Sequence, residues 1–199
     1  MNENKGLGLL LVVSGPSGVG KGTVCKALLD RDDTNVFSVS ATTRSPRPAD
    51  VDGQSYYFMT KEEFFSRLDK GDFLEWAEVY GNYYGTLRPE VERLQKAGKN
   101  VVLEIDTQGA MQIKKMYPES VLVFILPPSL EELRARIVGR GTETPEVLEL
   151  RLSKAEAEIA LSSQYDLVLI NDDVERTVEA LAAFIHEERI RRKRGGFLC

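Results

Sequence analysis

The sequence predicts an α/β domain, a parallel β-sheet flanked by helices and interrupted by two polar inserts. Three observations carry that expectation. Four short apolar runs, residues 9–13, 101–105, 121–126 and 167–170, have the length and composition of buried strands, and helical segments separate the last three. A glycine-rich stretch, Gly15-Pro16-Ser17-Gly18-Val19-Gly20-Lys21-Gly22-Thr23, lies between the first run and a helical segment. Two segments between the runs, about residues 38–88 and 128–160, are polar and rich in arginine.

The chain has 199 residues, enough for one sizeable domain or a core carrying small inserts. Its apolar fraction of 42% and charged fraction of 29% fit a soluble globular protein. A net charge of -5 argues against nucleic-acid binding by the body of the domain. No apolar run is long enough to span a membrane, and residues 1–11 lack a basic start and a cleavage site, so a cytoplasmic location is expected. Cys25 and Cys199 form neither a metal pattern nor a disulfide framework. Cys25 is expected in the core and Cys199 at a frayed end. The single histidine, His186, lies in a charged helical stretch and reads as a surface residue. Histidine-based catalysis therefore has no material here.

Taken in order, residues 2–8 read as a flexible start, followed by the strand, the glycine-rich loop and a helix ending near Asp30. Residues 36–40 read as one short strand. Ser40-Ala41-Thr42-Thr43-Arg44-Ser45-Pro46-Arg47-Pro48 is a basic, proline-rich loop, and Asp52-Gly53 signals a turn. Residues 55–59 are β-prone. Thr60 and Glu63 form a capping box for a helix that Gly71 stops. Residues 73–79 alternate as a strand. Gly81-Asn82-Tyr83-Tyr84-Gly85 reads as a turn, Pro89 opens a helix, and Gly98 closes it. Two helices joined around Gly139-Arg140-Gly141 fit residues 131–160. A last helix starts near Val174, with Val174, Val178, Leu181 and Ile185 on one face. Its basic end, residues 189–194, reads as a solvated helix terminus.

In parallel α/β sheets, ligands collect at the carboxyl ends of the strands. Gly15, Asp106 and Asn171 all follow predicted strands, so they are expected to converge on one cleft. The spacing G-x4-G-K between strand and helix is that of a phosphate-binding loop. Glycines allow backbone N–H groups to wrap around an anion, the helix adds its positive dipole end, and Lys21 adds a mobile charge. The residue after the lysine is Gly22, so the first hydroxyl available is that of Thr23. Arg44, Arg47, Tyr56 and Tyr84 supply guanidinium forks and hydroxyl donors suited to a second phosphate. Glu75 could accept the two donors of a guanine edge, which adenine lacks.

Five blocks together resemble guanylate kinases. They are Ser14-Gly15-Pro16-Ser17-Gly18-Val19-Gly20-Lys21, Ser40-Ala41-Thr42-Thr43-Arg44-Ser45-Pro46-Arg47, Gly81-Asn82-Tyr83-Tyr84-Gly85, Ile105-Asp106-Thr107-Gln108-Gly109 and Gly139-Arg140-Gly141-Thr142-Glu143. The likeness runs from about residue 9 to residue 186. It implies a single domain of P-loop NTPase type. The core would cover about 8–37, 89–127 and 161–199, a small mixed α/β GMP-binding segment about 38–88, and a helical lid about 128–160.

The resemblance also implies roles. Arg44, Arg47, Tyr56 and Tyr84 would hold the GMP phosphate, with Ser40, Glu75, Thr86 and Asp106 on the guanine side. Residues Gly15, Pro16, Ser17, Gly18, Val19, Gly20, Lys21, Gly22 and Thr23 would bind ATP phosphates, and Asn171 and Asp172 would lie near adenine. Arg136, Arg140 and Arg151 would swing in from the lid. Lys21, Arg44, Arg140 and Arg151 are the expected catalytic groups. Mg²⁺ would bridge the ATP phosphates, largely through waters, with Thr23 and Asp106 nearest; Glu104 is suited to hold a metal-bound water. ATP and GMP are the expected partners, with no nucleic acid and no membrane, in a monomer or homodimer.

Other readings are weaker. Asp106-Thr107-Gln108-Gly109 fits the D-x-x-G pattern of GTPases, yet the sequence has no N-K-x-D motif. An inactive guanylate-kinase-like interaction module would be expected to have a degraded loop, whereas Gly15, Gly20 and Lys21 are intact. A kinase for another nucleoside monophosphate is the nearest enzymatic alternative.

Overall fold

The structure is a computed structural model that describes residues 7–79, 81–138 and 145–195. In chain order the elements are β1 (Leu10–Ser14), α1 (Lys21–Arg31), β2 (Asn35–Phe37), β3 (Ser40–Thr42), β4 (Tyr57–Phe58) and α2 (Lys61–Asp69). There follow β5 (Phe73–Val79), β6 (Asn82–Leu87), α3 (Arg88–Lys96), β7 (Asn100–Glu104), α4 (Thr107–Met116) and β8 (Val121–Leu126). The chain closes with α5 (Leu130–Val138), α6 (Pro145–Ala160), a short 3₁₀ turn (Ser162–Gln164), β9 (Leu167–Ile170) and α7 (Val174–Gly195).

Five strands form a parallel sheet in the order β2-β7-β1-β8-β9. Its central strands are apolar on both faces because both faces are covered. Leu9, Leu11 and Val13 join Val102, Val121, Val123 and Ile125 on one side, packed against residues of α1 and α7 such as Leu28, Val178 and Leu181. Leu10 and Val12 join Val101, Leu103, Leu122 and Phe124 on the other, against Val91 of α3 and Ile113 of α4. This strict alternation across a doubly covered sheet explains why the runs read as continuous hydrophobic stretches.

The remaining strands form a second sheet, β4-β3-β6-β5, with mixed pairing. Its own small core gathers Ala41, Phe64, Phe73 and Leu87, and the rings of Phe64 and Phe73 stack 4.4 Å apart. Thr60 caps α2 by accepting the Glu63 N–H at 3.1 Å, as the capping box requires.

Three local expectations change. The strand expected over 36–40 is two strands in different sheets, because the chain leaves the main sheet after Phe37 and joins the second at Ser40. The turn expected over 81–85 is confined to its start. Gly81 takes a positive φ of 77°, and Asn82 onward is strand β6, pairing on both sides. The β-prone run 55–59 contributes only two strand residues, Tyr57 and Phe58. Residues 139–144, with the expected glycine turn of the lid, lie outside the described residues, as do residues 1–6 and Cys199. Among the described residues no helix is long and apolar enough to cross a membrane.

His186 is exposed on α7, as expected. Cys25 is fully buried in α1, and burial pushes its thiol up to about 12. The native protein should therefore leave Cys25 unalkylated by iodoacetamide at pH 8, while denatured protein reacts. Peptide mass mapping separates Cys25 from Cys199; rapid labelling of Cys25 in folded protein would contradict this packing.

Candidate active site

The loop between β1 and α1 is shaped by close backbone approach. Gly15 has φ 146°, and a Cβ there would lie 2.3 Å from the Ile125 carbonyl oxygen of β8. Gly20 has φ 97° and caps α1, whose first bond runs from the Val24 N–H to the Gly20 carbonyl at 3.1 Å. The loop amides and the dipole end of an 11-residue helix thus share one hollow. Lys21 donates from Nζ to the carbonyls of Gly15 and Pro16, the latter at 3.1 Å. Burial lowers the pKa of Lys21, while Glu104, Glu158, Cys25 and Asp106 oppose that shift.

A second cationic cluster lies in the β3–β4 region. Arg44 Nη2 pairs with Asp50 Oδ2 at 2.8 Å, and the same oxygen accepts the Arg47 backbone N–H at 2.7 Å. The Arg44 guanidinium also lies 5.4 Å from the Tyr56 ring centre and 5.6 Å from that of Phe58. Tyr56 meets Tyr84 edge-on at 5.8 Å, and Tyr84 lies close enough to Arg44 to help raise its pKa. Arg44, Tyr56 and Tyr84 are therefore brought together. The Arg47 side chain is exposed beside them.

The second sheet places three polar residues abreast. Ser40 of β3 pairs with Thr86 of β6, and Thr86 pairs with Glu75 of β5. A register shift between Phe73 and Glu75 sets Glu75, rather than Leu74, opposite Thr86. Bulges of this kind re-aim side chains at sites. Leu74 then enters the core. Glu75 is buried, and its Oε1 accepts the Thr86 hydroxyl at 2.6 Å. Burial raises its pKa; the Thr86 bonds pull the other way, and the Asp106 charge adds to the rise. Ser40, Tyr56, Thr86 and Glu104 line a cleft of about 320 Å³.

Asp106 lies between the two groups. Its Oδ1 accepts the Gly109 N–H at 2.9 Å and caps α4, and its charge reaches Lys21, Glu75, Glu158 and Tyr165. A Cβ at Gly22 would lie 3.4 Å from Glu104 Oε2, so Gly22 faces Glu104. Thr23 instead lines a different cleft of about 440 Å³, with Gly18, Gly20, Arg136, Asn171 and Asp172. Asn171, after β9, and Glu104, at the end of β7, thus line two different clefts. Asn171 itself is buried and bonds the loop. Asp172 is exposed and pairs with Arg176 at 2.9 Å. Arg136 bonds the Val19 and Asn171 carbonyls at 3.3 and 3.2 Å. Arg151 lies half-buried on α6, Arg134 pairs with Glu149 at 2.9 Å, and Arg140 lies outside the described residues.

The family model for guanylate kinase matches residues 8–188. The chain belongs to the guanylate kinase family. It is 53% identical over 193 residues to a guanylate kinase of Symbiobacterium thermophilum, covering 97% of this chain and 92% of that one. It is 54% identical over 184 residues to a guanylate kinase of Clostridium perfringens, covering 92% and 85%. Among solved structures, the guanylate kinase of Anaplasma phagocytophilum superposes with a TM-score of 0.70 at 36% identity, covering 92% and 87%. Membership in this family accounts for a parallel-sheet α/β domain with a phosphate-binding loop.

Two residues beside the candidate site escape sequence reading. Asp50 holds Arg44 from six positions away, inside a loop whose fold no periodicity announces. Glu158 is half-buried on α6, with burial raising its pKa, near enough to Lys21 and Asp106 to feel both charges. Helical spacing alone gave it no distinction from its charged neighbours.

Replacing Thr86 with valine should remove the hydroxyl that bonds Glu75 and push the Glu75 pKa higher still. Because the folded-state pKa already lies above the unfolded one, ionised Glu75 costs stability above that pKa, and the cost fades as pH falls through it. Thr86→Val should therefore lower unfolding free energy by about 1–3 kcal/mol near pH 7, with the deficit shrinking toward pH 4. Urea unfolding at several pH values measures this; a deficit independent of pH would contradict it.

Proposed function

We propose that this chain transfers the γ-phosphoryl group of ATP to GMP, giving ADP and GDP. The observation that carries the choice of acceptor is Glu75, a buried carboxylate abreast of Thr86 and Ser40. Guanine presents N1–H and N2–H₂ on one edge, and a carboxylate accepts both. Adenine presents a lone pair at N1, which the same carboxylate repels. Deoxy-GMP is proposed as a second acceptor, since the gathered groups address base and phosphate.

In this reading Arg44, Arg47, Tyr56 and Tyr84 hold the GMP phosphate, and Asp50 keeps Arg44 in place. The loop from Gly15 to Thr23, with Lys21, holds the ATP phosphates. An oxygen of the GMP phosphate attacks the γ-phosphorus as the bond to the β,γ-bridging oxygen breaks, and ADP departs with that electron pair. A monophosphate with a second pKa of about 6 is largely dianionic at pH 7, so no general base is required. Catalysis then rests on alignment and charge neutralisation. Lys21 and Arg44 serve that end, with Arg140 and Arg151 proposed to join from the α5–α6 lid. Asp106 is proposed to stand between the guanine pocket and the loop.

Among the described residues no group of three or more Asp, Glu, His or Cys side chains could hold a metal by itself. That fits Mg²⁺ arriving on the ATP phosphates rather than residing in a protein cage. The carboxylates facing the loop, Glu104 beside Gly22 and Asp106 within reach of Lys21, fit the role of binding its water ligands. When bound, the ion neutralises phosphate charge. With Gly22 offering no hydroxyl and Thr23 lining the opposite cleft, the two carboxylates carry that role in our proposal, Thr23 only by way of water.

Glu75→Gln tests this reading. It exchanges one acceptor for an amide donor facing a guanine donor, so kcat/KM for GMP should fall about 30- to 1000-fold while KM for ATP stays within about threefold. The wild-type enzyme should lose GMP affinity as pH drops through the raised Glu75 pKa, above the ordinary glutamate value of 4.5. The Gln variant should lack that acid limb. Unchanged GMP kinetics in the variant would remove Glu75 from the pocket.

A further inference from the structure

The peptide joining Val19 to Gly20 is held from outside the phosphate loop by two side chains. Asn171 Nδ2 donates to the Val19 carbonyl at 2.8 Å, and Arg136 Nη1 donates to the same oxygen at 3.3 Å. A carbonyl oxygen only accepts, so the close atom of Asn171 must be its amide nitrogen. Asn171 is buried in this position, with a residue exposure of 3%. Its backbone is fixed as well, with its N–H on the Leu126 carbonyl at 2.8 Å. Gly20 is the residue that lets it approach: a Cβ there would lie 2.6 Å from Asn171 Nδ2.

We infer that Asn171 is a positioning residue for the phosphate loop, one that orients the Gly20 N–H toward the triphosphate, and not a contact to adenine. The described chain contains no cis peptide, and in a trans peptide the C=O and N–H point in opposite directions. Fixing the Val19 oxygen on Asn171 and Arg136 therefore points the Gly20 N–H away from both. Among the described residues that N–H has no protein acceptor. A donor whose direction is set in advance needs no reorganisation when charge arrives. Asn171 has little left for a base: its Nδ2 is on Val19, its Oδ1 is 3.3 Å from the Thr177 hydroxyl, and its side chain is buried.

The inference rests on the proposal that the loop binds the ATP triphosphate, and one experiment separates the two. Calorimetric affinities are measured for ATP and for inorganic tripolyphosphate, with wild-type protein and with Asn171→Ala and Asn171→Ser, each checked for a cooperative thermal transition. A positioning role predicts that both ligands weaken by the same factor, about 10-fold or more, with KM for GMP unchanged. It also predicts that the Gly20 amide resonance moves on tripolyphosphate addition in wild type and moves less in the variants. The serine variant is read in the same way if the alanine variant does not fold. Loss confined to ATP would overturn the inference in favour of an adenine contact, and unchanged affinity for both would overturn it outright. Failure of wild-type protein to bind either ligand would overturn the phosphate-loop reading itself, and the inference with it.

Discussion

Burial of both faces of one parallel sheet is the constraint from which the rest of this structure follows. Strands β7, β1 and β8 can be apolar on both sides only because helices cover both sides. Parallel strands connected by helices end at the same edge. The glycine-rich loop after β1, Asp106 after β7 and Asn171 after β9 are therefore delivered to one edge without any side chain having to direct them there. The second sheet is attached between β2 and α3, and its β3, β5 and β6 bring Ser40, Glu75 and Thr86 toward the same edge.

Charge at that edge is unusually concentrated for a protein of net charge -5. Lys21 sits among Glu104, Asp106 and Glu158. Burial works against every one of the perturbed groups: it lowers the pKa of Lys21 and raises those of Glu75 and Glu158. Such opposed shifts in one region mark it as a candidate functional site. Arg44 shows a different solution. It is placed by its pair with Asp50 and by the rings of Tyr56 and Phe58.

Much of the fold is legible in the sequence because its signals are local. The apolar runs at 121–126 and 167–170 match β8 and β9 residue for residue, and the Thr60 cap forms as its spacing requires. Elements that depend on partners are read less well. Residues 36–40 look like one strand, and only the presence of two sheets divides them. Tyr83 to Gly85 look like a turn, and only pairing with β3 and β5 makes them strand. At the site, the residue types in Arg44, Tyr84 and Glu75 point to phosphate and guanine chemistry, but the bulge that turns Glu75 toward Thr86 leaves no trace in composition. Asn171 is legible as a strand-end residue, and through the resemblance as a neighbour of adenine, but its bond to Val19 is not, because it links residues 152 positions apart.

The central claim is that the phosphate loop and the Glu75 side of the second sheet serve one phosphoryl transfer to a guanine monophosphate. Turnover with ATP and Mg²⁺, measured side by side for GMP, AMP, CMP and UMP, tests it most directly. ADP formation with GMP, at a kcat/KM at least about 100-fold above the other three, is the predicted result. Comparable turnover of another monophosphate, or none with GMP in protein shown to be folded, would contradict the claim.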